Sequence, residues 1–260
     1  MTEPKPRGFL RAAACLAALL LSVPALVANA AEEHGATGVD WQAWTANNQV
    51  WNTESLQRGA TNFVNYCLGC HSLKYMRYSR MGVDLGIPEA RLQDTLIPTN
   101  AKPTDYMLST FPAVEGETWF GKAPPDLSLT ARAKGTNYIY QFLKGFYVDA
   151  SKATGTNNLA LDGAAMPAVL SDLEGVKAAV FGEADEAGVR HVERFDQVAA
   201  GRMTPEQFDS FVRDTVNFLD YASEPTQVQR RALGIWVVLF LAVFTLFAWL
   251  LKREYWKDVH

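Results

Sequence analysis

The run Cys67-Leu68-Gly69-Cys70-His71 constrains this 260-residue chain more than any other feature. Two thiols separated by two residues and followed at once by an imidazole form the attachment signature of a covalently bound c-type haem. Both sulfurs can reach the vinyl groups of one porphyrin while His71 turns onto the iron, so one short segment gives the tethers and the proximal ligand. With only three Cys and four His in the chain, chance assembly of this run is rare. A structural zinc site normally draws on four N or S ligands, and the third cysteine, Cys15, lies in a segment expected to be removed. A thioredoxin-type pair opens a helix after a strand, whereas here a helical pattern leads into the pair.

The N-terminus carries Arg7 and Arg11, an apolar run from Leu16 to Val27, and then Ala28-Asn29-Ala30. That is the basic, hydrophobic and small-residue order of a secretory signal peptide cleaved after Ala30. The apolar run is short for a membrane span and contains Pro24. Export suits the haem, because bacterial c-type attachment occurs outside the inner membrane. At the other end, Ala232 to Leu251 is a stretch of twenty residues without a charge. At about 1.5 Å per residue it can cross a roughly 30 Å hydrocarbon core. Arg230-Arg231 and Lys252-Arg253 flank it, and Trp236, Trp249, Tyr255 and Trp256 mark the expected interfaces. The expected organisation is a cleaved signal peptide over 1–30, an exported haem domain over 31–225, and a single-pass anchor with a short cytoplasmic tail over 226–260. The haem domain is then periplasmic, on a bacterial inner membrane.

Charge points to the kind of partner. Of 24 basic and 28 acidic residues, segments 1–30 and 230–260 hold eight and three, which leaves the exported body 16 against 25, a net of −9. Such a body argues against nucleic acid and favours a basic protein partner steered by charge.

Asn52 or Thr53 can cap a helix whose apolar face, Leu56, Ala60, Phe63, Val64 and Cys67, leads into the haem run, and Gly59 permits close approach by another helix. The partner starts at Thr204-Pro205-Glu206-Gln207, a capping box with Pro at its first turn, and shows Phe208, Phe211, Val212, Val216 and Leu219 on one face. Between them the chain reads mostly as loops, with a helix over Thr136 to Gly145. Val176–Phe181 and Val189–Phe195, joined across Gly182–Gly188, read as a β-hairpin. The fold class is mainly α: a class I cytochrome c-like haem domain with loop insertions and a β-hairpin, plus one C-terminal transmembrane helix.

The other face of the iron decides between an electron carrier and an open, reactive haem. His260 falls on the wrong side of the membrane, and His34 sits at the new N-terminus. Met76 and Met81 follow His71 too closely, and Met107 falls in a short helix. Met166 lies in Gly163-Ala164-Ala165-Met166-Pro167, whose small neighbours permit close approach to a porphyrin. Met203 and His191 follow it as candidates.

These residues resemble the cytochrome c1 family, the haem c subunits of quinol:cytochrome c reductase (cytochrome bc1) complexes. The resemblance runs over essentially all of the mature chain. It rests on Cys67 to Ser72, on Pro124-Pro125-Asp126-Leu127-Ser128, on Met166-Pro167, and on Tyr221-Ala222-Ser223-Glu224-Pro225 before the C-terminal span. It implies one haem c, attached by Cys67 and Cys70, with His71 and Met166 as axial ligands and Pro125 packed beside the proximal histidine. Tyr138, Arg132 and Lys134 are implied near a haem propionate; the family commonly has Arg where this chain has Lys134. The function implied is electron transfer from the Rieske iron-sulfur protein to a soluble periplasmic cytochrome c. The anchor would pack against cytochrome b in membrane lipid, within a dimeric complex. On this reading the chain is a redox subunit of the reductase and turns over no substrate of its own. Two rivals stand beside it: an anchored donor to a terminal oxidase or denitrification enzyme, and an enzyme or gas sensor with five-coordinate haem.

Overall fold

In the computed structural model, residues 38–98, 101–185 and 188–257 are described. The expected signal peptide, its cleavage point, His34 and His260 lie outside them. After a 3-10 turn at Trp41–Ala43, the described residues form nine helices and three two-stranded antiparallel sheets. In chain order these are α1 (Thr53–Tyr66), β1 (Leu73–Arg77), α2 (Tyr78–Asp84), α3 (Glu89–Thr95), β2 (Tyr106–Met107) and α4 (Ala113–Phe120). Then come α5 (Thr130–Lys134), α6 (Thr136–Lys144), β3 (Phe146–Val148), β4 (Thr156–Asn158), α7 (Ser171–Glu174), β5 (Gly175–Ala184) and β6 (Arg190–Ala200). Two long helices close the chain, α8 (Pro205–Ser223) and α9 (Gln227–Tyr255).

The two helices expected to clasp each other do so, and they form the frame of the domain. Asn52 caps α1, its Oδ1 accepting from Ser55 N at 3.1 Å, and Glu54 in the first turn complements the helix dipole. The capping box of α8 is complete: Gln207 N donates to Thr204 Oγ1 at 3.3 Å and Thr204 N donates to Gln207 Oε1 at 2.9 Å. Leu56, Ala60 and Phe63 of α1 are buried with Phe208, Phe211, Val212, Val216 and Leu219 of α8 in one core. Phe63 and Phe218 lie 5.7 Å apart between ring centroids, and Tyr66 meets Phe211 edge-on at 5.2 Å. Gly59 sits where the helices come closest, since a Cβ there would fall 2.0 Å from the Asp214 carbonyl oxygen. A polar seam fixes the register. Asp214 accepts from Arg58 Nε at 2.6 Å and from Ser55 Oγ at 2.6 Å, so its buried charge is paired rather than stranded.

α6 ends at Lys144 with Gly145 as its cap, close to the expected bounds. The expected hairpin forms as β5–β6, with Val180 opposite Arg194, and both strands run further than alternation alone suggested. The β1–β2 and β3–β4 pairs and five short helices occupy what reads as loop in the sequence. Met107 is a correction: it lies in β2 opposite Leu73, fully buried, because the pairing with β1 outweighs the helical tendency of a two-residue segment.

α9 is a single helix of 29 residues, about 44 Å long at 1.5 Å per residue, and it contains the whole expected span. Its apolar side chains, among them Trp236, Phe240, Phe247 and Trp249, are exposed on every face. Such a surface needs lipid or apolar protein around it. The mainly α reading holds.

Candidate haem centre

The haem run grows out of the last turn of α1. Cys67 N donates to Phe63 O at 2.9 Å, and both Cys70 N and His71 N close onto Cys67 O, at 3.0 and 2.8 Å. This tight turn sets the two thiols and the imidazole on one short arc. Both cysteines are free; Cys67 is half-buried and Cys70 exposed. Burial, and secondarily the neighbouring Cys70, push the Cys67 thiol up to about 12. Among the described residues no three His, Cys, Asp or Glu side chains gather as a metal-holding group.

His71 is oriented by the Pro125 segment. Its Nδ1 lies 2.8 Å from Pro125 O, and a carbonyl can only accept, so Nδ1 carries the proton and Nε2 presents a lone pair. Burial lowers the pKa of this imidazole, opposed by the Pro125 bond and by Asp126. A neutral ring with a fixed tautomer is what an iron ligand requires. The segment is fastened along its length: Leu127 N donates to Ser72 O at 2.9 Å, Lys74 N to Asp126 Oδ2 at 2.9 Å, and Tyr75 N to Ser128 Oγ at 3.3 Å. From the other side Ser109 N donates to Ser72 Oγ and Ser109 Oγ to Gly69 O, each at 2.9 Å. Sequence reading named Pro125 but missed Asp126, Ser128 and Ser109. The Asp-Leu-Ser order after two prolines was the available signal, since Ser128 N closes a turn onto Asp126 Oδ1 at 3.1 Å.

Cys67, Leu127, Tyr138, Phe142 and Met166 are all half-covered apolar groups packed against the same core. Leu129, Leu161 and Val169, which flank these segments, are exposed. Two free thiols and a locked imidazole on one arc, in a domain with half-covered apolar groups on its core, fit a covalently held porphyrin. Of the sixth-ligand candidates, Met76, Met81 and Met107 are buried as core filling. His191 lies out on β6, its Nε2 2.9 Å from Asp185 Oδ2. Met166 and Met203 remain at the rim. Lys134 Nζ lies 5.8 Å from the Tyr138 ring centroid, which brings those two together. Arg132, in contrast, has Glu224 at 3.9 Å, at the end of α8 beside the anchor.

A mainly α domain with a Cys-x-x-Cys-His arc, a histidine whose Nδ1 is bonded to a backbone carbonyl and an apolar C-terminal helix has the make-up of a membrane-anchored c-type cytochrome. The chain belongs to the cytochrome C1 family, whose model matches residues 42–259. It is 42% identical over 243 residues to cytochrome c1 of Allochromatium vinosum, covering 93% of this chain and 96% of that one. It is 28% identical over 257 residues to cytochrome c1 of Rhodospirillum rubrum, covering 85% and 87%. It is also 44% identical over 207 residues to a Nitrosomonas europaea protein named ammonia monooxygenase gamma subunit, covering 80% and 84%. Membership makes this a redox subunit with covalently bound haem c.

Proposed function

We propose that this chain relays electrons within a respiratory cytochrome bc1 complex, from the Rieske iron-sulfur protein to a soluble periplasmic cytochrome c. The observation that carries the proposal is the His71–Pro125 bond beside the two thiols, which presets the proximal ligand. A single bound haem c would supply the one-electron iron couple. Cys67 and Cys70 would hold it covalently, and His71 and Met166 would be the side chains that ligate its iron. Thioether ligation by Met166 would raise the reduction potential, which suits a relay placed between a quinol-fed donor and a soluble acceptor. Lys134 and Arg132, with Tyr138, provide the cationic and hydrogen-bonding side for a propionate.

The signal peptide sends residues 31–225 to the periplasm, α9 crosses the inner membrane against cytochrome b, and Lys252 onward stays cytoplasmic. The acidic body favours encounter with a basic acceptor. The complex is dimeric, and this chain turns over no substrate by itself.

The test is extraction of the chain from native membranes in mild detergent. Co-purification of b-type haems and a Rieske centre is the expected result. Arrival alone, or with a terminal oxidase, overturns the bc1 assignment and favours an anchored donor. The same extract assayed for ammonia oxidation decides whether the role named for the Nitrosomonas relative applies; no such activity is expected to accompany the chain.

A further inference from the structure

We infer that Asn157 positions Met166 as an iron ligand, an inference that rests on the ligand role proposed for Met166. The described residues between β4 and α7, which carry Met166, contain no helix or strand. Such a segment needs anchors if a thioether is to stay within bonding reach of iron. Asn157, on β4, is 4% exposed, and its side chain makes four hydrogen bonds. Nδ2 donates to Asp162 Oδ1 at 2.7 Å and to Asp149 Oδ2 at 3.1 Å. Oδ1 accepts from Asn158 N at 2.8 Å and from Gly163 N at 2.9 Å. The buried amide thus grips both the β3–β4 turn and two residues of the ligand loop, Asp162 and Gly163.

The grip is transmitted to the end of α6. Asn158 Nδ2 donates to Phe142 O at 2.7 Å and Leu159 N to Gly145 O at 3.0 Å, which moors β4 to the end of α6. Gly163, held by Asn157, has φ +67°, a left-handed conformation that turns the chain and that side chains rarely adopt. Ala164 is buried directly after it, and Met166 follows at the rim of the core. Lys152 Nζ, 3.0 Å from Asp162, closes the outside of the knot. An amide is the side chain that can donate twice and accept twice from one plane; a leucine of the same size would give up all four bonds and leave Gly163 N–H without its Oδ1 acceptor.

The experiment compares Asn157→Ala, Met166→Ala and Asn217→Ala in the full-length chain, purified in its native assembly. Asn217 also holds a buried amide, donating to Gln49 O and Ser55 Oγ at 3.0 Å each, but within the α1–α8 seam. The readouts are the thioether-to-iron charge-transfer band of the oxidised protein, the midpoint potential and carbon monoxide binding to the reduced protein. Asn157→Ala is expected to weaken or abolish the band, lower the potential and admit carbon monoxide. Asn217→Ala is expected to lower only the melting temperature. If Met166→Ala leaves band and potential unchanged, the ligand reading fails, and the inference with it. If Met166→Ala abolishes the band while a folded Asn157→Ala keeps band and potential, the positioning role alone is overturned. Should Asn157→Ala not accumulate, Asp162→Ala decides, because that side chain is 81% exposed and its loss removes one of the four Asn157 bonds, with the outer Lys152 pair, and leaves the other three. It should shift the potential in the same direction by less; an unchanged potential and band overturn the inference.

Discussion

His71 and Pro125, fifty-four positions apart in sequence, are joined by a 2.8 Å hydrogen bond from a ring nitrogen to a backbone carbonyl. Because the acceptor is main chain, no substitution at position 125 deletes it directly. What holds that carbonyl in place is the fastening of the next residue, Asp126, to Lys74 N and Ser128 N.

Asp126→Ala should therefore act through His71. Loss of two hydrogen bonds from a half-buried carboxylate lowers stability by about 1–3 kcal/mol. The freed loop lets the imidazole rotate, which moves the midpoint potential as well. Calorimetry and a redox titration of the same preparation check both; a destabilised protein with an unmoved potential would show that Asp126 only stabilises the fold.

Gly59→Ala should be among the most damaging small substitutions in the domain. The added methyl meets the Asp214 carbonyl at 2.0 Å and Phe218 Cβ at 2.7 Å, both on a packed helix. Neither neighbour can swing away, so α1 and α8 must part, at about 1–3 kcal/mol or more. Thermal melting of the purified variant measures it, and a melting temperature within a degree of the parent would contradict the packing described.

The clasped helices were legible because capping and a one-sided apolar face are local signals. Asn52, Gly59 and the Thr204–Gln207 box all act as their residue types suggest. The haem run was legible for the same reason, as its chemistry is confined to five consecutive residues. The β1–β2 pairing and the Asn157 knot were not, since each depends on groups that only the tertiary fold brings together. Leu73 meets Met107 across thirty-four positions, and Asn157 reads in sequence as an ordinary turn residue. Arg132 and Lys134 were grouped through the resemblance alone; in the fold they have different protein partners, Glu224 and the Tyr138 ring.

Acid should weaken the α6–α8 contact in a defined window. Burial would raise the Asp209 carboxyl, but hydrogen bonds from Lys144, Tyr140 and Arg213 outweigh it and hold it down at about 2, against an ordinary 3.8. A depressed carboxyl contributes stability that is present above its unfolded value and is lost as pH falls through its folded one. The parent should lose this contribution between about pH 4 and 2. Asp209→Asn should be less stable at neutral pH and show a flatter acid limb; melting curves across that range check it, and parallel limbs would contradict it.

Charge steering should be visible in kinetics. Glu115 and Glu117 are exposed on α4, whose preceding loop is fastened to the haem run through Ser109. The double variant Glu115→Gln, Glu117→Gln should slow second-order reduction of a basic cytochrome c at low ionic strength and converge with the parent at high salt, where the Debye length falls to about 3 Å near 1 M. Stopped-flow traces at several salt concentrations decide it; equal rates throughout would place the docking face elsewhere.

The most direct measurement is the absorbance of the c-type haem in the detergent-purified assembly after addition of quinol, with and without an inhibitor of quinol oxidation. The account predicts rapid reduction by quinol that the inhibitor blocks. A haem that dithionite reduces but quinol does not would contradict a relay fed from a quinol-oxidising complex.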